Sequence, residues 1–304
     1  MMSNEPKRVL IIKPSALGDI VLALPALSAL KHSFPEASIS WLVRPEFAPL
    51  ITGHPYISDI ILFDRKQLSK WWCNAESFKA LRSLISQLKN GQFDLVFDFQ
   101  GLLRTGYFAW VTGCKKRFGM AGAREFAHLF YTDKIQQVQS DIHLVDYYLK
   151  MAEAAGAKRG DIEFKLPEDA GAAEAVKKLL KSQGVSLDKY FVIIPGAARP
   201  EKIWPPERFA QLADKIVSRF GGAIVAAGSK GERENIEKLK AAAKSNIVNL
   251  AGQTSLKELI ALLKGAMLVV SNDTGPGHIA AALNVPIVMI FGPTNPARLH
   301  PYNR

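Results

Sequence analysis

The stretch MLVVSNDTGPGHIAAALNVPIVMIF, residues 267–291, decides the fold. It holds an apolar run at 267–271, a helical pattern over 275–284 and a second apolar run at 287–291. Continuous apolar strands separated by helices are typical of a parallel sheet that is covered on both faces. This stretch therefore predicts an α/β fold.

The same alternation runs through the whole chain. In the first half, strands are predicted at 9–13, 39–43, 60–63 and 94–98, and helices at 20–33, 76–90, 103–112 and 143–156. In the second half, further strands are predicted at 191–195, 223–227 and 247–250, and further helices at 206–220, 231–244 and 256–264. A charged, Gly- and Ala-rich helical stretch, 157–189, lies between the halves. We therefore predict two facing Rossmann-like αβα domains with mainly parallel sheets, 1–165 and 166–304.

Composition narrows the class of protein. The chain has 304 residues, 48% of them hydrophobic, which is enough for packed cores. Its longest nearly apolar run, 20–30, is too short for a membrane span, which needs about 20 residues. Two cysteines, Cys73 and Cys114, are too few for a disulfide framework or a Cys-rich metal site. These features, with no signal peptide at the start, predict a soluble cytoplasmic protein.

The net charge of +11 needs an explanation. The excess is shared evenly between the two halves of the chain, but one stretch, 99–134, stands out with six Lys or Arg residues and only two acidic ones. Such a cluster is either a solvated face or a surface for an anionic partner.

Ligands of open parallel sheets bind beyond the carboxyl ends of the strands, so the loops there are the first candidates for a site. The first such loop, 13–19, contains neither the GxGxxG of a dinucleotide site nor a GxxxxGK[ST] P-loop, which weakens the NAD(P) and ATPase interpretations. Gly18 would permit a tight turn there. Asp19 follows it as either a helix N-cap or a general base.

The loop after the strand at 191–195 carries two cations and a tryptophan. Arg199 offers a planar fork for phosphate, Lys202 a point charge, and Trp204 precedes a Pro-started helix. The loop is either an anion site or a solvated loop with Trp204 packed beneath it.

The turn at 272–278 gives the strongest signal. Backbone N–H groups and the helix dipole at the start of the following helix favour a phosphate. Asp273 and Thr274 are otherwise helix caps, and His278 is otherwise a core histidine. The sequence has no DxD, HxH or HxxxH, so no metal is expected.

Three motifs together resemble glycosyltransferase family 9, the ADP-heptose:lipopolysaccharide heptosyltransferases. They are KPSALGDIVLALPAL, PGAARPEKIWPPERF and SNDTGPGHIAAALNVPIVMIFGPTNP, and the likeness runs across nearly the whole chain. GLLRTG and GMAGAREFAHLFY look more like the type I enzyme, which adds the first heptose to the Kdo of the inner core. The resemblance implies a GT-B fold and an inverting, metal-independent transfer, with the acceptor on the N-terminal domain and the donor on the C-terminal one.

The resemblance also implies roles for single residues. Asp19 matches the catalytic base, and Lys202 matches the lysine at the donor diphosphate. The donor-binding turn is matched by Asp273, Thr274, Gly275 and His278, with Arg199, Trp204 and Lys230 as further candidate donor contacts. Two positions depart from the type I pattern: Ala197 replaces a hydroxyl residue near the phosphates, and Lys230 replaces a glutamate at the ribose. Members also continue past the GPT loop, so a terminal segment is expected to be missing.

The acceptor implied by the resemblance carries Kdo carboxylates and lipid A phosphates. We expect it to meet Ser15 and Gly18 near Asp19, and the cations Lys115, Arg117 and Arg124. A monomer on the anionic inner face of the cytoplasmic membrane is expected. Two alternatives stay open: a GT-B transferase with another nucleotide sugar, and a non-catalytic binder of an anionic surface. Nucleic acid is disfavoured because no interleaved basic–aromatic motif is present.

Overall fold

The computed structural model describes residues 5–136 and 141–302. The chain divides into two compact units, 1–167 and 168–304, so the division falls two residues after the boundary expected from the sequence. Both units are α/β with parallel strand pairing, which confirms the predicted fold class. None of the described helices is long and apolar enough to span a membrane.

Unit 1 is built on a six-stranded parallel sheet with the strand order β3-β2-β1-β4-β5-β6. Its strands are β1 Arg8–Ile12, β2 Ser38–Val43, β3 Asp59–Leu62, β4 Leu95–Asp98, β5 Arg117–Met120 and β6 Asp133–Ile135. Its helices are α1 Leu17–Ser33, α2 Arg65–Leu68, α3 Ala75–Asn90, α4 Leu103–Val111 and α5 Leu144–Ala154. The central strands β1 and β4 are almost wholly buried, as expected of continuous apolar runs.

Unit 2 is built on a five-stranded parallel sheet with the strand order β11-β10-β7-β8-β9. Its strands are β7 Tyr190–Ile194, β8 Ala223–Ala226, β9 Ile247–Asn249, β10 Leu268–Asn272 and β11 Ile287–Ile290. Its helices are α6 Ala170–Ser182, α7 Pro206–Phe220, α8 Arg233–Ala242, α9 Leu256–Lys264, α10 Gly275–Ala282 and α11 Pro296–Leu299. The order places β7 and β10 side by side, so the loops that follow them leave the same sheet edge.

The structure corrects the sequence prediction in three places. Strands β5 and β6 were not predicted, because both are short and carry charged residues, and only β6 lies at the end of the sheet. The stretch 157–189 is helical only over α6, whose first turn is capped by Asp169. Helix α1 begins at Leu17 rather than near residue 20, so Gly18 lies buried inside the helix and does not form a turn.

Candidate functional site

In unit 2, polar side chains gather where β7 and β10 end. Lys202 lies in a short 3-10 turn, Pro200–Lys202, in the loop after β7, and Asp273 directly follows β10. Lys202 Nζ donates to Asp273 Oδ2 over 2.6 Å. The Asp273 side chain is 3% exposed and that of Lys202 is 19% exposed, so the pair is largely withdrawn from water. His278 joins it, with Nε2 3.7 Å from Asp273 Oδ1.

Electrostatics keep Asp273 charged. Burial acts against the charged form, but the nearby His278 side chain, the hydrogen bond and charge of Lys202, and Thr294 outweigh it and hold the pKa of Asp273 well below its usual range. Asp273 is therefore an ion-pair partner. The alternative that it serves only as a helix cap is not what the structure shows, since the residue at the N-cap of α10 is Thr274.

Two buried polar atoms in this turn lack a partner. Thr274 Oγ1 makes no capping hydrogen bond, and it and His278 Nδ1 are buried with no hydrogen-bond partner in the described part of the chain. Unsatisfied buried polar groups are costly and call for an explanation. They stand beside the first turn of α10, which begins at Gly275 and whose N–H groups and dipole favour an anion. The arrangement is suited to a phosphate group.

Asn272 ties the two loops together; the sequence placed it in the turn at 272–278 without a role of its own. Its side chain donates to Pro195 O over 2.8 Å and accepts from Trp204 N over 3.2 Å. Trp204 itself packs edge-on against Phe209, with ring centroids 4.9 Å apart, which is the packing role weighed for it in the sequence. The sequence did contain a signal for Asn272, since it is a polar residue at the end of the apolar strand β10.

The remaining candidates of unit 2 lie at the surface. Arg199 is exposed and 4.0 Å from Glu201, and Lys230 is exposed in a 3-10 turn after β8. Arg199 O accepts a backbone hydrogen bond from Lys202 N over 3.1 Å. Among the described residues, no hydrogen bond or ion pair joins the side chain of Arg199 or Lys230 to the Lys202–Asp273 pair. Glu232, for which the sequence predicted no role, packs directly against Gly196 just after β7. The contact leaves no room for a side chain at Gly196, since a Cβ there would come within 1.5 Å of Glu232 Oε1. Its other oxygen accepts from Ser229 N.

In unit 1, Asp19 lies at the carboxyl end of β1. It occupies the third position of α1, after the N-cap Ala16, so the N-cap alternative for Asp19 is wrong. Lys13 Nζ donates to Asp19 Oδ2 over 3.1 Å. The Lys13 side chain is 3% exposed, whereas that of Asp19 is 37% exposed and accessible to a substrate. Ser15 is half-buried in the same loop.

Asp98, at the end of the neighbouring strand β4, is a second carboxylate that the sequence did not single out. It is fully buried and accepts hydrogen bonds from Gln100 N, from Gly101 N and, over 2.6 Å, from the Tyr131 hydroxyl. Burial raises its pKa, and these hydrogen bonds lower it only in part. Asp98 shapes the turn that leads into α4, and its full burial keeps it from a substrate.

The cations expected at an acceptor differ in their surroundings. Lys115 and Arg124 are exposed. The Arg117 guanidinium donates from Nε to Phe130 O over 2.7 Å and from Nη1 to Cys114 O. Arg117 therefore holds the loop around β5, and its availability to a ligand is reduced. No group of three His, Cys, Asp or Glu side chains placed to hold a metal occurs within 5–136 and 141–302.

Comparisons of the sequence and of the structure with known proteins point to the same family. The family model described as glycosyltransferase family 9 (heptosyltransferase) matches residues 81–304. Lipopolysaccharide heptosyltransferase 1 of Pseudomonas aeruginosa is 32% identical, over 98% of this chain and 82% of its own length. Two solved structures are similar. E. coli heptosyltransferase WaaC with ADP-2-deoxy-2-fluoro heptose is 28% identical, with a TM-score of 0.75 over 95% of this chain and 90% of that one. A family 9 glycosyl transferase from Veillonella parvula is 25% identical, with a TM-score of 0.87 over 98% and 85%.

Proposed function

Because this chain belongs to glycosyltransferase family 9, we propose that it transfers a heptose from ADP-heptose to the Kdo of the lipopolysaccharide inner core. The resemblance carried by the three sequence motifs is confirmed at the level of the family, and the chain is a glycosyltransferase rather than a non-catalytic binder. The donor, the stereochemistry and the acceptor are the subject of the proposal.

The observation that carries the proposal is the buried Lys202–Asp273–His278 group at the start of α10. An ammonium group has three N–H donors, so the bond to Asp273 leaves two for a diphosphate. Asp273 fixes the position of the Lys202 ammonium, and the unpartnered Thr274 hydroxyl offers a further hydrogen bond. The WaaC structure with an ADP-heptose analogue supports ADP-heptose as the donor.

The base in the proposed reaction is Asp19. The acceptor hydroxyl attacks the anomeric carbon as the bond to the diphosphate breaks, and its proton passes to the Asp19 carboxylate. A single in-line displacement inverts the anomeric configuration. Lys13 orients the carboxylate by its hydrogen bond, and the exposed part of Asp19 leaves room for the acceptor.

The leaving group needs stabilisation of its negative charge more than it needs a proton. A nucleoside diphosphate leaves as an anion, so the second carboxyl that glycosidases use is unnecessary. Lys202 and the N–H groups at the start of α10 supply preorganised positive charge. The proposed transfer is therefore independent of a divalent metal.

The acceptor in this proposal is an anionic lipid. Exposed Lys115 and Arg124 are suited to its carboxylates or phosphates, together with Ser15 near the base. We expect the enzyme to work as a monomer at the inner face of the cytoplasmic membrane, where the positive net charge favours association.

The proposal is tested by incubating the enzyme with ADP-heptose and a Kdo-containing lipid A, with and without EDTA. We expect a product heavier by one heptose, with inverted anomeric configuration by NMR and the same rate in EDTA. GDP- and UDP-sugars serve as comparison donors. Transfer from one of these but not from ADP-heptose would refute the donor assignment, and loss of the rate in EDTA would refute the metal-free mechanism.

A further inference from the structure

Helix α4 of unit 1 exposes three large apolar or aromatic side chains and a single cation, Arg104, which is unusual for a helix on the surface of a protein. Its inner residues Thr105, Phe108 and Ala109 are buried. Its outer face carries Leu103, Tyr107 and Trp110, of which Trp110 is 54% exposed. Surface helices place mainly polar residues on the face away from the core, and a contiguous exposed apolar patch commonly marks a contact surface. Something is therefore expected to cover this face.

The 3-10 turn Ala127–Phe130, which Phe126 precedes, extends the apolar surface. Phe130 lies close to α4, with its ring centroid 6.4 Å from those of both Tyr107 and Trp110. Gly106 permits this approach, because a Cβ there would lie 2.9 Å from the Phe130 ring. The same turn presents Phe126 and Leu129, which are 71% and 68% exposed. We call this surface the α4 patch; its members are Leu103, Tyr107, Trp110, Phe126, Leu129 and Phe130.

The backbone at Phe126 supports a role for its exposed side chain. Glu125 and Phe126 have φ angles of 55° and 60°, in the left-handed region that bulky side chains rarely adopt. Such a conformation costs free energy and is retained where the surrounding structure or the function requires it. Here it leaves a large apolar ring in solvent, where the ring contributes little to folding.

Exposed cations flank the segments of the chain that form the α4 patch. Arg104 is exposed on α4, Lys115 and Lys116 follow the helix, and Arg124 precedes the turn. Glu125 lies at the same place, but its carboxylate accepts from Leu103 N at the start of α4 over 3.2 Å, where it caps the helix. A pocket of about 370 Å³ lies within the patch, lined by Leu103, Arg104, Tyr107, Glu125 and Phe130.

We propose that the α4 patch inserts into the headgroup region of an anionic lipid bilayer. Trp and Tyr are the side chains that favour this region, because each joins an apolar ring to a polar group. Lys and Arg around them are attracted to anionic headgroups. The charge complementarity favours a lipid surface over a second copy of this chain, which is itself strongly positive. The inference rests on the proposed function in one respect: a lipid-linked acceptor lies in such a bilayer.

The test is flotation with lipid vesicles that contain neither donor nor acceptor, so it is independent of whether transfer occurs. Vesicles of phosphatidylcholine alone are compared with vesicles containing about one third phosphatidylglycerol. We expect the protein to float with the anionic vesicles only, and less so in high salt, which screens the headgroup charges. Equal flotation with both kinds of vesicle would overturn the claim that the cations near the α4 patch attract anionic headgroups.

The double variant Trp110→Ser/Leu129→Ser should lower the partition coefficient at least about tenfold, because two large apolar side chains are lost from the interface. The matched control is Phe220→Ser in unit 2, whose side chain is 50% exposed. It should float as the wild type does. Thermal unfolding of each variant shows whether it is folded. If the double variant does not fold, the single variants Trp110→Ser and Leu129→Ser are measured instead.

Two results would overturn the proposal. One is flotation of the folded Trp110→Ser/Leu129→Ser protein at the wild-type level. The other is a wild-type dimer in solution that this variant converts to a monomer, because the α4 patch would then be a contact between two copies. Loss of flotation with unchanged transfer to a soluble acceptor lacking acyl chains supports the proposal and leaves the transfer reaction intact.

Discussion

The Lys202–Asp273 ion pair allows a quantitative test of the unit 2 site. Asp273→Asn keeps the volume of the side chain and removes its charge. Removing one member of a buried pair costs about 3–5 kcal/mol, because the other charge stays buried without compensation. Lys202 retains 19% exposure and can reach water, so we expect a loss of about 2–3 kcal/mol in the free energy of unfolding. Lys202→Met should cost a similar amount, because it leaves the Asp273 carboxylate buried.

The double variant Asp273→Asn/Lys202→Met should lose much less free energy of unfolding than the two single variants lose together. The difference is the coupling free energy of the pair, for which we expect about 2 kcal/mol. The control cycle is Glu234→Gln/Lys238→Met on α8, an exposed pair 3.0 Å apart, for which about 0.5 kcal/mol or less is expected. Calorimetry is the assay, since the two units can unfold in separate transitions. A coupling at Asp273 no larger than that of the control cycle would refute the description of this site.

Three further predictions follow from the structure. Acid should destabilise the wild type more than Asp273→Asn below about pH 4, because a pKa lowered by folding contributes stability that is lost as the pH falls toward it; parallel pH profiles of unfolding would contradict this. Lys202→Ala should lower kcat/KM for the donor about 100-fold, measured beside the exposed control Lys238→Ala, and an unchanged value would reject the diphosphate role. Tyr131→Phe should cost about 1–3 kcal/mol by removing the hydrogen bond to buried Asp98, whereas Tyr107→Phe should cost under about 0.5 kcal/mol; equal melting temperatures would contradict this.

The sequence predicted the parts of the fold that have strong periodicity. The central strands β1, β4, β7 and β10 are buried on both faces, so they are continuous apolar runs in the sequence. Strands β5 and β6 gave no such signal: β5 has only four residues and begins with Arg117, and β6 is an edge strand of three residues, two of them charged. Their pairing depends on the neighbouring strand, which a local pattern does not contain.

The site was predictable where its residues lie in one loop. The turn with Asp273 and Thr274 was recognised because polar residues interrupt an apolar strand–helix pattern. The ion pair of Asp273 with Lys202 joins residues far apart in the chain and appears only in the folded sheet. The same holds for Glu232 against Gly196 and for Tyr131 bonded to Asp98. Solvent exposure of the outer face of α4 was equally invisible, since its apolar residues are indistinguishable in sequence from core residues.

The central claim is that Asp19 removes the acceptor proton during transfer from ADP-heptose. It is tested most directly by measuring both donor binding and transfer for Asp19→Asn, with exposed Asp188→Asn as the control. We predict that Asp19→Asn binds ADP-heptose as the wild type does, within about twofold, and transfers heptose at least about 100-fold more slowly. Transfer by Asp19→Asn at the rate of the control would contradict the account.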